Sequence, residues 1–129
     1  MPIRVVQLGS PRHALEGPRL GTVRRPPRGV RKQDHARLDW FDVWLPDLAP
    51  SAALVSWAQE SPWTAARWAA FARRYRSEMR QPAPARLLAL LAVLSQDADF
   101  SVGCYCPDEA RCHRSLLRTL LAAHGARFV

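Results

Sequence analysis

The sequence predicts a single α/β domain over residues 1–129, with a small, mostly parallel sheet flanked by helices. Three observations carry this. Two strand-like segments, the β-branched Ile3–Gly9 and Phe100–Tyr105, stand near opposite ends of the chain. Helical periodicity fills most of the stretch between them and returns after the second. A strand, several helices, then a strand and a closing helix is the order of a parallel sheet with crossover connections. The balance is that of an ordinary globular chain: 48% of its 129 residues are apolar and 23% charged. At this length folding buries roughly two-thirds of the unfolded surface, enough for a core without staples.

The elements follow in order. Ile3–Gly9 (IRVVQLG) is a strand ended by Gly-Ser-Pro. Leu20–Val23 is a second, shorter one after a loop over residues 10–20. In RRPPRG, residues 24–29, two prolines remove donors and fix φ, so this is an exposed, extended strip rather than a central strand. Leu38–Leu48 is dense in aromatic residues and reads as irregular chain or a short helix packed on the core. Ser51 is a plausible N-cap of a helix carrying Leu54, Val55, Trp57 and Ala58. Ser61-Pro62 repeats the start signal. The helix that follows runs to about Arg80, with Trp68, Phe71, Tyr75 and Met79 in one apolar stripe. Gln81–Pro84 is a break. ARLLALLAVL, 85–94, is apolar on almost every side, as in a buried or interfacial helix. The last helix spans about Arg111 to Ala123, stopped by Gly125.

Composition limits the function classes. No apolar run reaches the roughly 20 residues that a membrane span needs. The N-terminus lacks the basic and apolar regions of a signal peptide, which predicts a cytoplasmic protein. Three cysteines clustered within nine residues do not form a secreted disulfide framework. Net charge is +8 and uneven: residues 1–37 hold nine basic residues against Glu16 and Asp34. Such a surface either attracts anions, nucleic acid among them, or is simply solvated. No Walker-type loop is present, and Gly9 and Gly21 are too far apart for one dinucleotide fingerprint.

All three cysteines lie in CYCPDEARCHR, 104–114. The segment is expected to join a strand end to a helix start, the edge where open α/β sheets bind ligands. Cys104 and Cys106 are two apart, so they share a strand face. Cys112, His113 and Arg114 are expected in the first helical turn, where free N–H groups and the helix dipole favour anions. A thiol there, flanked by Arg111 and Arg114, should be partly thiolate. Four readings follow. No cofactor is expected, but if a metal were bound it would be zinc, held by Cys104, Cys106, Cys112 and His113. Against it, C-x-C is an unusual spacing, and adjacent Cys112 and His113 diverge by about 100° on a helix. A nucleophilic cysteine could work beside an anion. The phosphatase pattern Cys-x5-Arg fits only Cys112 with Arg118, which should be helix rather than cradle, and so fails. A phosphate or nucleotide-like anion could be held by His113, Arg114, Ser115 and the helix N–H groups. Finally, the cysteines could be buried apolar residues. The leading reading is an anion-accepting pocket at 104–115 with thiol chemistry. Its catalytic candidates are Cys104, Cys112, His113 and Arg114, and Arg12, Arg24, Arg28, Lys32 and Ser115 are its ligand-binding candidates. The chain would be a monomer or homodimer with a small anionic ligand and no membrane partner. Nucleic-acid binding through the basic third and zinc binding are the alternatives.

Four stretches in order, RPPRGVRK (25–32), DWFDVWLPDLAPSAALVSW (39–57), FARRYRSEM (71–79) and CYCPDEARCHRSLL (104–117), resemble the bacterial YeaO-like family, domain of unknown function 488. The resemblance spans nearly the whole chain and implies a compact α/β fold in a cytosolic protein, but no activity, since the family is uncharacterised. Where that family carries Val-Asp-Arg-Leu-Trp-Pro-Arg-Gly, this chain has Val-Arg-Arg-Pro-Pro-Arg-Gly, with Arg24 and Pro26 replacing Asp and Trp once a one-residue shift is allowed. Some branches carry Glu at the position of Cys106, which implies a site centred on Cys104, Cys112, His113 and Arg114.

Overall fold

The computed structural model describes residues 2–129. Four strands, β1 (Ile3–Gln7), β2 (Arg19–Gly21), β3 (Val43–Trp44) and β4 (Phe100–Cys104), form one sheet in the order β1-β4-β2-β3. Every pairing is parallel, with Ile3 opposite Phe100, Leu20 opposite Val102 and Leu20 opposite Val43. The last strand in sequence thus lies between the first two, and all five of its residues are buried. Central parallel strands are covered on both faces, which is why FSVGC shows no polar alternation.

One face is covered by helices: α1 (Ala52–Gln59), α2 (Ala65–Met79), α3 (Pro82–Leu94) and α4 (His113–Ala123). Ile3, Phe100 and Val102 share a core with Phe71, Tyr75, Leu88, Leu117 and Leu121. The aromatic stripe of α2 is therefore core, and the Tyr75 hydroxyl donates to the Leu48 carbonyl at 2.7 Å. The other face is covered by loop. Gly21 and Gly103 lie side by side in register, and a Cβ on either would collide, with the Phe41 ring and the Leu8 side chain respectively. Two glycines thus let these residues lie flat against the sheet.

Several boundaries differ from expectation. Ser51 caps α1 as predicted, accepting from Leu54 N–H. The next helix, however, is capped by Thr64 rather than Ser61, through Arg67 N–H. Trp63 just before the cap packs on Trp68 one turn in, with centroids 5.3 Å apart, a staple that fixes the entry. Helix α3 includes the presumed break: Gln81 is its N-cap, and Pro82 and Pro84 occupy its first turn, where no N–H is needed. It buries Leu88, Leu91 and Ala92 and leaves Leu90, Val93 and Leu94 exposed. The stretch Leu38–Leu48 supplies a fourth strand and a 3-10 turn, Pro46–Leu48. The last helix starts at His113, two residues later than expected, after a 3-10 turn over Glu109–Arg111. No helix among the described residues is long and apolar enough to cross a membrane.

Candidate functional site

The cysteines meet at the C-terminal edge of the sheet. Cys104 ends the central strand, Cys106 follows it, and Cys112 is the residue that caps α4. Cys112 has extended backbone (φ −131°, ψ 150°) rather than lying in the first helical turn; it occupies the N-cap position, but its thiol accepts no N–H of the helix and is left free to face the other sulfurs. The three sulfurs all lie within 4.8 Å of one another. Cys104 Sγ is 3.9 Å from Cys106 Sγ. Cys104 and Cys112 are buried with Leu8, Val23 and Phe41, whereas Cys106 is only partly buried. All three are free thiols.

Next in the chain, His113 bridges strand β2's end and the cysteine cluster. Its Nε2 lies 2.7 Å from the Thr22 carbonyl oxygen, which can only accept, so Nε2 carries the proton. Thr22 Oγ1 donates to the Gly103 carbonyl at 2.9 Å and presents its oxygen to the same nitrogen. In the neutral ring Nδ1 is then a bare acceptor, 3.8 Å from Cys112 Sγ. Arg114 is 3% exposed and donates from Nη2 to the Cys106 carbonyl at 2.6 Å. Its Nε has no partner, and no carboxylate among the described residues pairs with it. A buried guanidinium without an acid needs another negative charge nearby.

The sulfurs answer that need unequally. Cys106 is held well below the ordinary thiol range. It accepts from Cys104 and Cys112, against the opposing effect of burial, and it sits in the field of Arg114. Cys104 is pushed far up, first by its hydrogen bonds to the other two sulfurs and then by burial. It stays a thiol and donates. Cys112 is lowered, chiefly by the hydrogen bond from Cys104 and with help from His113, against burial. Tyr105, between the first two cysteines, is pushed up to about 12 by burial and by Cys104. Its hydroxyl donates to the Arg25 carbonyl at 2.9 Å, tying the 24–29 strip to the strand end.

The structure thus brings together Cys104, Cys106, Cys112, His113 and Arg114, with the Ser115 hydroxyl bonded to the Cys112 carbonyl. It engages two of the basic candidates elsewhere. Arg12 pairs with Asp39 and Asp42. Arg24 donates to the carbonyls of Pro46, Ala49 and Pro50. Arg28 and Lys32 are exposed on the loop that Tyr105 anchors. Residues 104, 106 and 112 could hold a metal ion through sulfur; His113 is not in that group. Thr22 belongs to the site without having been singled out by the sequence, because only the fold carries it to the cysteines; Tyr105 stands between two of them in the chain, yet nothing in its sequence context marked its hydroxyl as a tether. Two surface clefts of about 340 and 300 Å³ lie elsewhere, at Ser51–Glu78 and along β1, and no cysteine lines either.

An all-parallel α/β domain with a Cys-His-Arg helix start facing two strand-end thiols defines a class of protein. A family model described as the active DUF488-N3 subclade matches residues 3–125. The chain belongs to this DUF488 family, in agreement with its YeaO-like motifs. No curated protein and no solved structure matches it.

Proposed function

We propose that the 104–115 junction is a thiolate centre acting on a small anionic ligand, with Cys106 as the sulfur that attacks it. One observation carries this reading: Arg114 is buried without a carboxylate and bonds to Cys106, the one cysteine of the three that is not buried. A Cys106 thiolate supplies the missing charge, the Cys104 thiol steadies it, and the positive end of α4 with Arg114 favours an incoming anion. Exposure moves the working role from Cys112, which is 2% exposed, to the partly exposed Cys106.

Paired alkylating agents test this. At pH 7 neutral iodoacetamide should label Cys106 about tenfold or more faster than a model thiol. Anionic iodoacetate should show a larger advantage still, because the site favours anions. Labelling no faster than the model thiol overturns the thiolate, and a smaller advantage for iodoacetate overturns the anion preference. Zinc binding is the second reading, favoured by the mutual approach of the sulfurs. It predicts one metal per chain, lost on replacing Cys106 and kept on replacing His113.

A further inference from the structure

We propose that the same centre reduces small hydroperoxides by two electrons, with Cys106 as the attacking sulfur and Cys112 as its resolving partner. The inference rests on the thiolate reading above. What extends it is the mutual approach of the three sulfurs, with one on a partly exposed residue and two on buried ones. A lone exposed thiolate that meets a peroxide stops at sulfenic acid or is oxidised further. Here a second thiol waits within 4.8 Å.

The Cys106 thiolate attacks the O–O bond of a hydroperoxide. A sulfur–oxygen bond forms, the O–O bond breaks, and the alkoxide or hydroxide that leaves takes a proton from water. Cys106 is then a sulfenic acid, two electrons oxidised. The Cys112 thiol, its proton passing to His113 Nδ1 at 3.8 Å, attacks the Cys106 sulfur. The Cys106–Cys112 disulfide forms, and hydroxide departs to leave as water with the proton from His113. In sum, one hydroperoxide and two thiols become an alcohol or water, a second water and a disulfide; an external dithiol restores the centre by exchange. Cys112 is the better resolving partner. It comes from a different element on extended backbone and faces a base, whereas Cys104 is two residues away on the same chain segment, where a disulfide closes with strain. The third cysteine, Cys104, is left as a thiol. Oxidation also removes the thiolate beside Arg114, so the disulfide form loses its anion-directed reactivity.

Chelator-treated, fully reduced protein is mixed with one equivalent of hydrogen peroxide. Free thiols should fall from three to one per chain, and peptide mapping should show a Cys106–Cys112 bond. The rate should exceed that of free cysteine by about tenfold or more at pH 7. In Cys112→Ser, dimedone should trap sulfenic acid on Cys106; Cys104→Ser should still close the disulfide. Mapping of the unmodified protein needs no variant to fold. A Cys104–Cys106 bond, or bonds between chains only, overturns the assignment. Fast alkylation of Cys106 with peroxide oxidation no faster than free cysteine overturns this inference and leaves the thiolate centre standing, whereas slowness in both overturns both.

Discussion

Two arginines are buried in this small domain, and they are held in opposite ways. Arg19 is fully buried, and Glu16 takes its Nε and Nη2 at 2.6 and 2.9 Å. Its Nη1 reaches the carbonyls of Ser10 and Asp39, one on each of the loops that cover the helix-free face. Asp42 accepts from its backbone N–H and also pairs with Arg12. Arg114 has one carbonyl, a bare Nε and the Cys106 thiol in its field. The first is a closed network whose charge is cancelled inside the fold. The second is open, and its cancellation depends on a group that can react. Buried charge marks structure where it is fully partnered and marks a reaction site where it is not.

The largest expected effect lies on the closed side. Glu16→Gln leaves the Arg19 charge buried and uncompensated, which costs about 3–5 kcal/mol. The urea midpoint at pH 7 should fall accordingly, while Cys106 alkylation in the protein that remains folded should be unchanged. A loss under about 1 kcal/mol would mean that the network does not hold the loops. Arg114→Met should divide the other way. It removes a charge that has no acid to strand, so the stability loss stays near the 0.5–1.5 kcal/mol of a hydrogen bond, while alkylation at pH 7 drops about tenfold. Equal losses of stability in the two variants would erase the distinction.

The two regions were not equally legible. The cysteine site was readable because its members sit within one short segment, and α4 was readable by its leucine spacing, as β4 was by a short apolar run ended by a polar turn. Arg19 was not. Nothing local separates a buried arginine from a solvated one, and counting charge over residues 1–37 missed Asp39 and Asp42, the partners of Arg12, just beyond the cut. Arg31 and Arg37 likewise share Asp34. Much of the basic excess of that third is engaged within the fold, which weakens the case for a nucleic-acid surface there. Strand β3 escaped because two residues have no period; only pairing of Leu20 with Val43 and of Gly21 with Trp44 defines it. The start of α4 moved because Cys112 is extended, and that shift turned a helical cysteine into a cap.

Acid separates the regions next. Burial alone would raise the Glu16 carboxyl, but the hydrogen bonds from Arg19 outweigh it and hold it below its ordinary value. Asp42 is lowered in the same way, with burial opposed by Arg12 and by the Arg19 N–H. Both pKa values are lower folded than unfolded. Their stabilisation is therefore complete above the unfolded values of 4.5 and 3.8, and is lost as pH falls below them through the folded values. Urea midpoints should hold from pH 7 to 5 and decline below about 4.5; in Glu16→Gln that decline should be shallower. The thiolate side should behave differently. Cys106 alkylation should keep most of its rate between pH 8 and 6, where a model thiol loses about tenfold per unit. A parallel fall with the model thiol would place the Cys106 proton on the sulfur.

The smallest change probes the border of the open side. The Tyr105 hydroxyl is partly shielded and bonds only to the Arg25 carbonyl. Its ring meets Trp40 edge-on at 5.8 Å, so Tyr105→Phe keeps the packing and deletes one hydrogen bond. Stability should fall by about 0.5–1 kcal/mol at most, near the lower end for such a bond. The informative readout is the iodoacetate-to-iodoacetamide ratio. If the 24–29 strip, with exposed Arg25 and Arg28, contributes positive field to the mouth of the site, releasing it should lower that ratio about twofold while leaving the iodoacetamide rate alone. An unchanged ratio would assign the anion preference to Arg114 and the start of α4 alone. The strip would then be solvated chain whose charge does not reach the sulfurs.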